Sequence, residues 1–394
     1  MIISETPRAM LLDTSNAMSK DMISEVQAAI KGPLAWSGAD FEDGEAYTLQ
    51  LHDEDIEEIN AALQSFKALG LDGDEVDQDN FRLPSLGARL AQCAQDIHDQ
   101  RGFFVLRGLG GSRYSVEDST TIYLGIASYI ADKRGVQDRE GNVLSHITSS
   151  KLWKVPVEER HGIHSSQALP YHNDMGCDIL ALQVRHMAEK GGYTYLSSVS
   201  TAFNELLSEA PWAANALLTA DWPVQISGRG AKSYLAPAFT THDGRLMASM
   251  DPNRFGPHPS SGPTDVPPLT ATQLSALERI SKAAYRSELR LHLKMGDLLF
   301  FNNWALLHRR DSYTDSDETS RHMVRLWLRN SKLGWSVPKS MLPPWYAAYG
   351  DDGVRNRLYP LMPMPDYKVP KYTAGSAAFV IEDSDASEDE NTLP

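Results

Sequence analysis

The chain of 394 residues carries 37 Lys and Arg against 52 Asp and Glu, a formal charge of −15. An acidic surplus of that size excludes the broad basic face that nucleic acid requires, and it disfavours docking on an anionic membrane. The surplus is regional: Asp40–Asp79 holds 14 acids and one base, Lys67, Glu382–Glu390 holds six acids and no base, and removing both runs from −15 leaves +4.

At 42% hydrophobic residues the chain can bury a large core. Its length suits two domains or one elaborated domain, at roughly 100–200 residues per domain. Two cysteines, Cys93 and Cys177, give neither a disulfide framework nor a CxxC metal clip. Met1–Lys20 lacks the basic and apolar regions of a secretion signal, and the longest uncharged apolar stretch, Thr120–Ala131, is about 12 residues, too short for a bilayer. The expectation is a soluble cytoplasmic protein.

In chain order, a helix is expected at Ser19–Lys31. A second follows at Asp53–Leu69, where Ile56, Ile59, Leu63 and Phe66 share one face, and then a solvated loop over Gly70–Asp79. Leu86–Asp99 repeats with the helical period through Leu90, Cys93 and Ile97. Gly102–Leu106 reads as a buried strand and Val116–Ile130 as a helix. Short strands are expected at Ile179–Val184, Tyr193–Ser197, Arg245–Met250, Leu289–Leu293, Asp297–Phe301 and Val324–Leu328, with helices at Ser200–Leu207 and Thr270–Tyr285. Many short strands separated by turns predict a sandwich or barrel elaborated with helices. Beyond Pro338 prolines recur, and the Ser/Asp/Glu tail reads as disordered.

The segment carrying chemistry is His172-Asn173-Asp174. On an extended strand alternate side chains share a side, so an imidazole and a carboxylate point at one spot while Asn173 points away. With a second histidine from a distant strand, such a pair occupies one face of an octahedral metal ion and leaves three positions open. Alone the pair is weak evidence: among twelve histidines, His52-Asp53-Glu54 is a decoy of the same kind. The second half changes the odds. Met295–His308 gives a turn, a buried strand, another turn and a histidine closing an apolar run. Thirteen residues later stands Arg321, followed at i+4 by Arg325 on the same strand face. A guanidinium among Val, Leu and Trp needs an anion, and it suits a carboxylate. Either arginine considered alone reads as a structural salt bridge.

Together, His172-Asn173-Asp174, the turn Gly191-Gly192-Tyr193-Thr194, Gly296-Asp297, Asn302-Asn303, His308, Arg321 and Arg325 resemble the TauD/TfdA-like Fe(II)/2-oxoglutarate dioxygenases over about Leu86 to Asn330. The resemblance implies a mostly β fold with flanking helices around a double-stranded β-helix (a cupin-like jelly roll). It implies iron ligands His172, Asp174 and His308, and a co-substrate carboxylate held by Arg321 with help from the Thr194 hydroxyl. Arg325 would meet an anionic group of the substrate or lie close to the co-substrate. Chelated 2-oxoglutarate would fill two open positions and O2 the third. Succinate and CO2 would leave while a C–H bond of a small anionic substrate is hydroxylated, desaturated or cyclised. Ser166 and Gln167, leading into the metal strand, are expected to contact that substrate. Residues 1–85 are then a helical, acidic extension, 86–335 the oxygenase domain, and 336–394 a C-terminal extension. Whether the protein forms a homo-oligomer is left open.

Other readings carry less. Gly108–Gly111 after a strand suggests a Rossmann-like dinucleotide site, but the glycine pattern is incomplete and no acid ends a second strand. A catalytically silent binding or scaffold relative is disfavoured by the intact ligand set. His161 and His164 lack a third zinc ligand and read as loop residues, and Phe301 and Trp304 as core.

Overall fold

Two uninterrupted apolar runs build the centre of the molecule. Phe103–Arg107 and Leu298–Asn302 are adjacent antiparallel strands. Each is apolar on both sides because it is covered on both faces. The computed structural model describes residues 29–138, 140–157, 160–226, 232–257, 266–350 and 357–367. The helix expected at Ser19–Lys31 therefore lies almost wholly outside the described residues, and the acidic tail entirely so.

The larger sheet runs in the order Thr48–Gln50, Phe103–Arg107, Leu298–Asn302, Ile179–His186, His322–Arg329, Lys133–Gly135, with Leu144–Thr148 also paired to His322–Arg329. Thr48–Gln50 joins in parallel and the rest antiparallel. The smaller sheet orders Leu289–Arg290, Thr194–Ser198, Leu306–Arg310 and Leu169–His172, all antiparallel.

Strand alternation sorts the layers. Leu180, Leu182, Met323 and Trp327 of the larger sheet meet Leu196 and Leu306 of the smaller one in one core. Their neighbours Ile179, Ala181, Val324 and Leu326 face the opposite way, onto the helices Asp53–Ala68, Leu86–Asp99 and Val116–Ile130. A third layer packs Val199–Glu209, Pro211–Leu218 and Ala271–Arg286 over the outside of the smaller sheet, against Tyr171 and Leu307. Each large apolar side chain so buried contributes about 1.5–3 kcal/mol. The result is the expected jelly-roll core with flanking helices.

The helices at Leu86–Asp99 and Val116–Ile130 fall where the periodicity placed them. The second starts there because the Ser115 hydroxyl accepts from the Asp118 amide at 3.0 Å. The acidic stretch contributes its apolar face, Ile56, Ile59, Leu63 and Phe66, to the helix-side core and leaves most of its acids outside. That helix lies on the sheet face opposite the metal-side core. The decoy His52 precedes it, its backbone amide donating to Asp55 at 2.9 Å. Sequence patterning overlooked Leu342–Tyr349, where prolines sit in the first turn, the place in a helix that tolerates them. It also overlooked the hairpins Trp222–Ile226/Lys232–Ala236 and Phe239–His242/Arg245–Ala248, although the last of these strands was partly expected. No described helix is long and apolar enough to cross a membrane.

Candidate metal centre and anion pocket

Tyr171 and Leu307 point outward into the helical layer. Alternation therefore turns His172 and His308 inward. The two histidines are register partners on adjacent strands, with ring centroids 4.1 Å apart. Asp174 follows in the turn after the His172 strand, its Oδ1 3.8 Å from His172 Nε2 and 3.9 Å from His308 Nε2. One donor atom from each lies within 4.8 Å of the others, and among the described residues no other group of three or more His, Cys, Asp or Glu side chains converges this way.

Local hydrogen bonds fit this set to a cation. His172 Nδ1 lies 2.8 Å from the Pro170 carbonyl, so that nitrogen carries the proton and the inward Nε2 keeps its lone pair. Burial, then the nearby His172, pushes the His308 pKa well below its ordinary value and keeps that ring neutral. Burial raises the Asp174 pKa, but the charge of Arg325, helped by the Trp327 hydrogen bond, outweighs it and holds the carboxyl below its usual range.

Two buried amides hold the turn. Asn303 accepts from the Asp174 amide at 3.0 Å and donates to the carbonyls of Asp174 and Cys177 at 2.8 and 2.7 Å. Asn173 points away from the histidines, donating to the Asn303 and Leu306 carbonyls and accepting from the Met250 amide. The second Asp174 oxygen, Oδ2, accepts from Trp327 Nε1 at 2.8 Å and pairs with Arg325 Nη1 at 2.8 Å. Arg325 in turn donates from Nε to Gln137 Oε1 at 2.7 Å. The arginine expected to meet substrate is thus seated against a metal-facing carboxylate. Arg254, buried on the turn Pro252–Arg254, is also within electrostatic reach of Asp174.

Arg321 is 2% exposed. Its Nε donates to the Gly192 carbonyl at 3.1 Å and its Nη2 lies 3.2 Å from the Met323 sulfur, while Nη1 is buried with no partner. Asp315 binds the Arg321 backbone amide instead of the guanidinium. Burial, with the charge of nearby Arg310, pushes the Arg321 pKa down to about 9. Gly192 leaves room for this side chain: at φ +67° it occupies backbone space that favours glycine, and a Cβ there would stand 2.8 Å from Arg321 Cδ. Thr194 is buried directly across from Arg310. Ser166 accepts from the Tyr313 amide through its carbonyl, and exposed Gln167 accepts from Arg310 through its own.

The sequence reading missed Arg310, Tyr313, Gln137 and Trp327. Trp327 and Arg325 share a strand face, which was a usable signal. Gln137 offered none.

A jelly roll with two histidines and a carboxylate at one inner spot, and a buried cation nearby, is the architecture of a non-haem iron oxygenase. The chain belongs to the taurine catabolism dioxygenase TauD, TfdA family, which matches residues 65–327. Membership makes it an Fe(II)- and 2-oxoglutarate-dependent dioxygenase. It is 33% identical over 324 residues to the taurine hydroxylase-like protein SAT17 of Stachybotrys chartarum, covering 78% of this chain and 82% of that one. It is 24% identical over 331 residues to FR-33289 synthase of Streptomyces rubellomurinus, covering 81% and 96%. In structure it resembles asparagine oxygenase in complex with Fe(II), hydroxyasparagine and succinate, with a TM-score of 0.56, 17% identity, and 72% and 93% coverage.

Proposed function

We propose that His172, Asp174 and His308 hold Fe(II), and that Arg321, with the Thr194 hydroxyl, takes the far carboxylate of 2-oxoglutarate. We further propose that the enzyme oxidises a C–H bond of a small anionic substrate, an amino acid, carboxylate or specialised metabolite. The observation that carries the reading is the unpartnered Nη1 of Arg321: a buried guanidinium with an open donor asks for a carboxylate, in a chain whose only converged His/Asp set among the described residues suits a metal ion. When bound, iron and 2-oxoglutarate supply oxygen activation coupled to loss of CO2 and formation of succinate.

The chain's own residues do the rest. The Pro170 carbonyl orients His172, Arg325 and Trp327 fix the outer oxygen of Asp174, and Asn303 holds the turn that presents it. The apolar residues between the sheets exclude water from the reacting centre. The anionic class of substrate is supported by Arg254, a buried cation within electrostatic reach of Asp174, Arg325 being already paired with that carboxylate; Ser166 and Gln167 stand at the head of the His172 strand. The amino-acid part is supported by the likeness to asparagine oxygenase, and the specialised-metabolite part by that to FR-33289 synthase. Mass separates hydroxylation, which adds an oxygen, from desaturation and oxidative cyclisation, which both remove two hydrogens; an alkene signal in the NMR spectrum of the product tells the latter two apart.

The test is anaerobic addition of Fe(II) and 2-oxoglutarate, read as the visible charge-transfer band of the chelate. It is followed by a substrate screen scored by succinate release above the uncoupled background. A wild-type protein that binds Fe(II) yet gives no band overturns the co-substrate assignment.

A further inference from the structure

Arg310 enters neither the ligand set nor the motif-based reading. It is 4% exposed, and its Nε and Nη1 are buried without partners. Only Nη2 is occupied, donating to the carbonyls of Gly162, Ser165 and Gln167. Arg310 stands two residues beyond His308 on one strand, so both project from the same inward face, with Thr194 directly opposite. That step is about 6.8 Å at the rise of an antiparallel strand.

Tyr313 joins Arg310 to Arg321. Its ring centroid is 5.0 Å from the Arg310 guanidinium carbon and 5.5 Å from that of Arg321. Its buried hydroxyl, faced by the Ser149 amide, completes no hydrogen bond. Two almost fully buried guanidinium groups thus flank one ring, and among the described residues neither has a carboxylate partner. Like charges so close are unfavourable unless an anion joins them.

We propose that Arg310 is a second carboxylate-binding residue of the co-substrate site, acting with Arg321 and Tyr313 on the far carboxylate of 2-oxoglutarate. This rests on the proposed function and deepens it. Nη2 anchors the loop 162–167 that leads into the His172 strand, leaving Nε and Nη1 to donate to the ligand. Binding of the co-substrate and placement of that loop are thereby coupled through one side chain.

The experiment titrates 2-oxoglutarate anaerobically into Fe(II)-loaded protein, following the charge-transfer band. Pyruvate, which chelates through the same two oxygens and lacks the far carboxylate, is run in parallel. Succinate binding to metal-free protein is measured by calorimetry. The expected result for Arg310→Gln is a 2-oxoglutarate half-saturation raised about tenfold or more, pyruvate unaffected, and succinate binding weakened in step. Arg310→Lys, which keeps the charge but not the fork, should fall between wild type and Arg310→Gln. Tyr313→Phe, which leaves the loop anchor untouched, should weaken 2-oxoglutarate about threefold and guards against a misfolded Arg310 variant. Wild-type affinity for 2-oxoglutarate in both Arg310→Gln and Tyr313→Phe overturns the inference, as does an equal loss of 2-oxoglutarate and pyruvate. A wild type that shows no band at all instead removes the co-substrate reading beneath it.

Discussion

Asp174 and Arg321 are both charged and both buried, yet their surroundings differ in kind. The Asp174 carboxylate is met by Arg325, Trp327 and two histidines. The Arg321 guanidinium has a carbonyl, a sulfur and another arginine as its neighbours. The metal end is electrostatically complete within the chain, and the anion end is completed by what binds. A buried charge with its partner stabilises the fold only when both remain, whereas a buried charge awaiting a ligand is carried at the expense of stability.

That difference predicts opposite responses to removing each charge. Asp174→Asn takes the carboxylate from Arg325 and should lower stability by about 3 kcal/mol or more while abolishing Fe(II) binding. Arg321→Leu should leave the Tm of the metal-free protein unchanged or raised, and should weaken 2-oxoglutarate by about 100-fold or more. Thermal melts of the metal-free proteins with chelate-band titrations decide it. A large fall in Tm for Arg321→Leu would show that the chain itself satisfies this arginine.

Gly192→Ala attacks the anion end without touching a charge. The new Cβ clashes with Arg321 and must adopt a positive φ, so 2-oxoglutarate affinity should fall about tenfold or more with Fe(II) affinity retained. Equal loss of metal and co-substrate would mean a general disturbance instead. Arg325→Gln attacks the complete end. If Arg325 positions Asp174, Fe(II) affinity should fall about 10-fold or more, with KM for 2-oxoglutarate unchanged at saturating iron. A rise confined to the substrate KM would return Arg325 to the substrate.

How far the sequence disclosed these two ends follows from periodicity. Alternation on a strand is local, so it put Arg321 and Arg325 on one face; it also predicts His172 and Asp174 together, but the strand ends at His172 and a turn held by Asn303 brings Asp174 to it. Pairing between distant strands is not local. Nothing in the sequence alone sets Arg310 opposite Thr194, or brings Gln137 from outside a helix to the Arg325 guanidinium. The family resemblance points Arg325 toward the substrate or the co-substrate; its partner in the fold, Asp174, lies about 150 residues earlier in the chain, beyond the reach of strand alternation. The Leu342–Tyr349 helix escaped for another reason: its prolines signal a break everywhere except in a first turn.

The smallest effect is expected at Trp327, where the complete end can be perturbed by a single hydrogen bond. Trp327→Phe deletes the Nε1 donor to Asp174 Oδ2 and keeps most of the ring that packs between the sheets. Arg325 still pairs with the same oxygen, so the carboxylate keeps its charge partner and loses one of the contacts that fix its rotation. A hydrogen bond to a charged group is worth about 1.5–3 kcal/mol, and the ion pair left behind should absorb part of that. Fe(II) affinity should therefore fall several-fold, less than for Arg325→Gln, with succinate binding to the metal-free protein unchanged. If succinate binding fell as well, the two ends would be mechanically coupled through the strand His322–Arg329, which carries Arg325 and Trp327 and follows directly on Arg321.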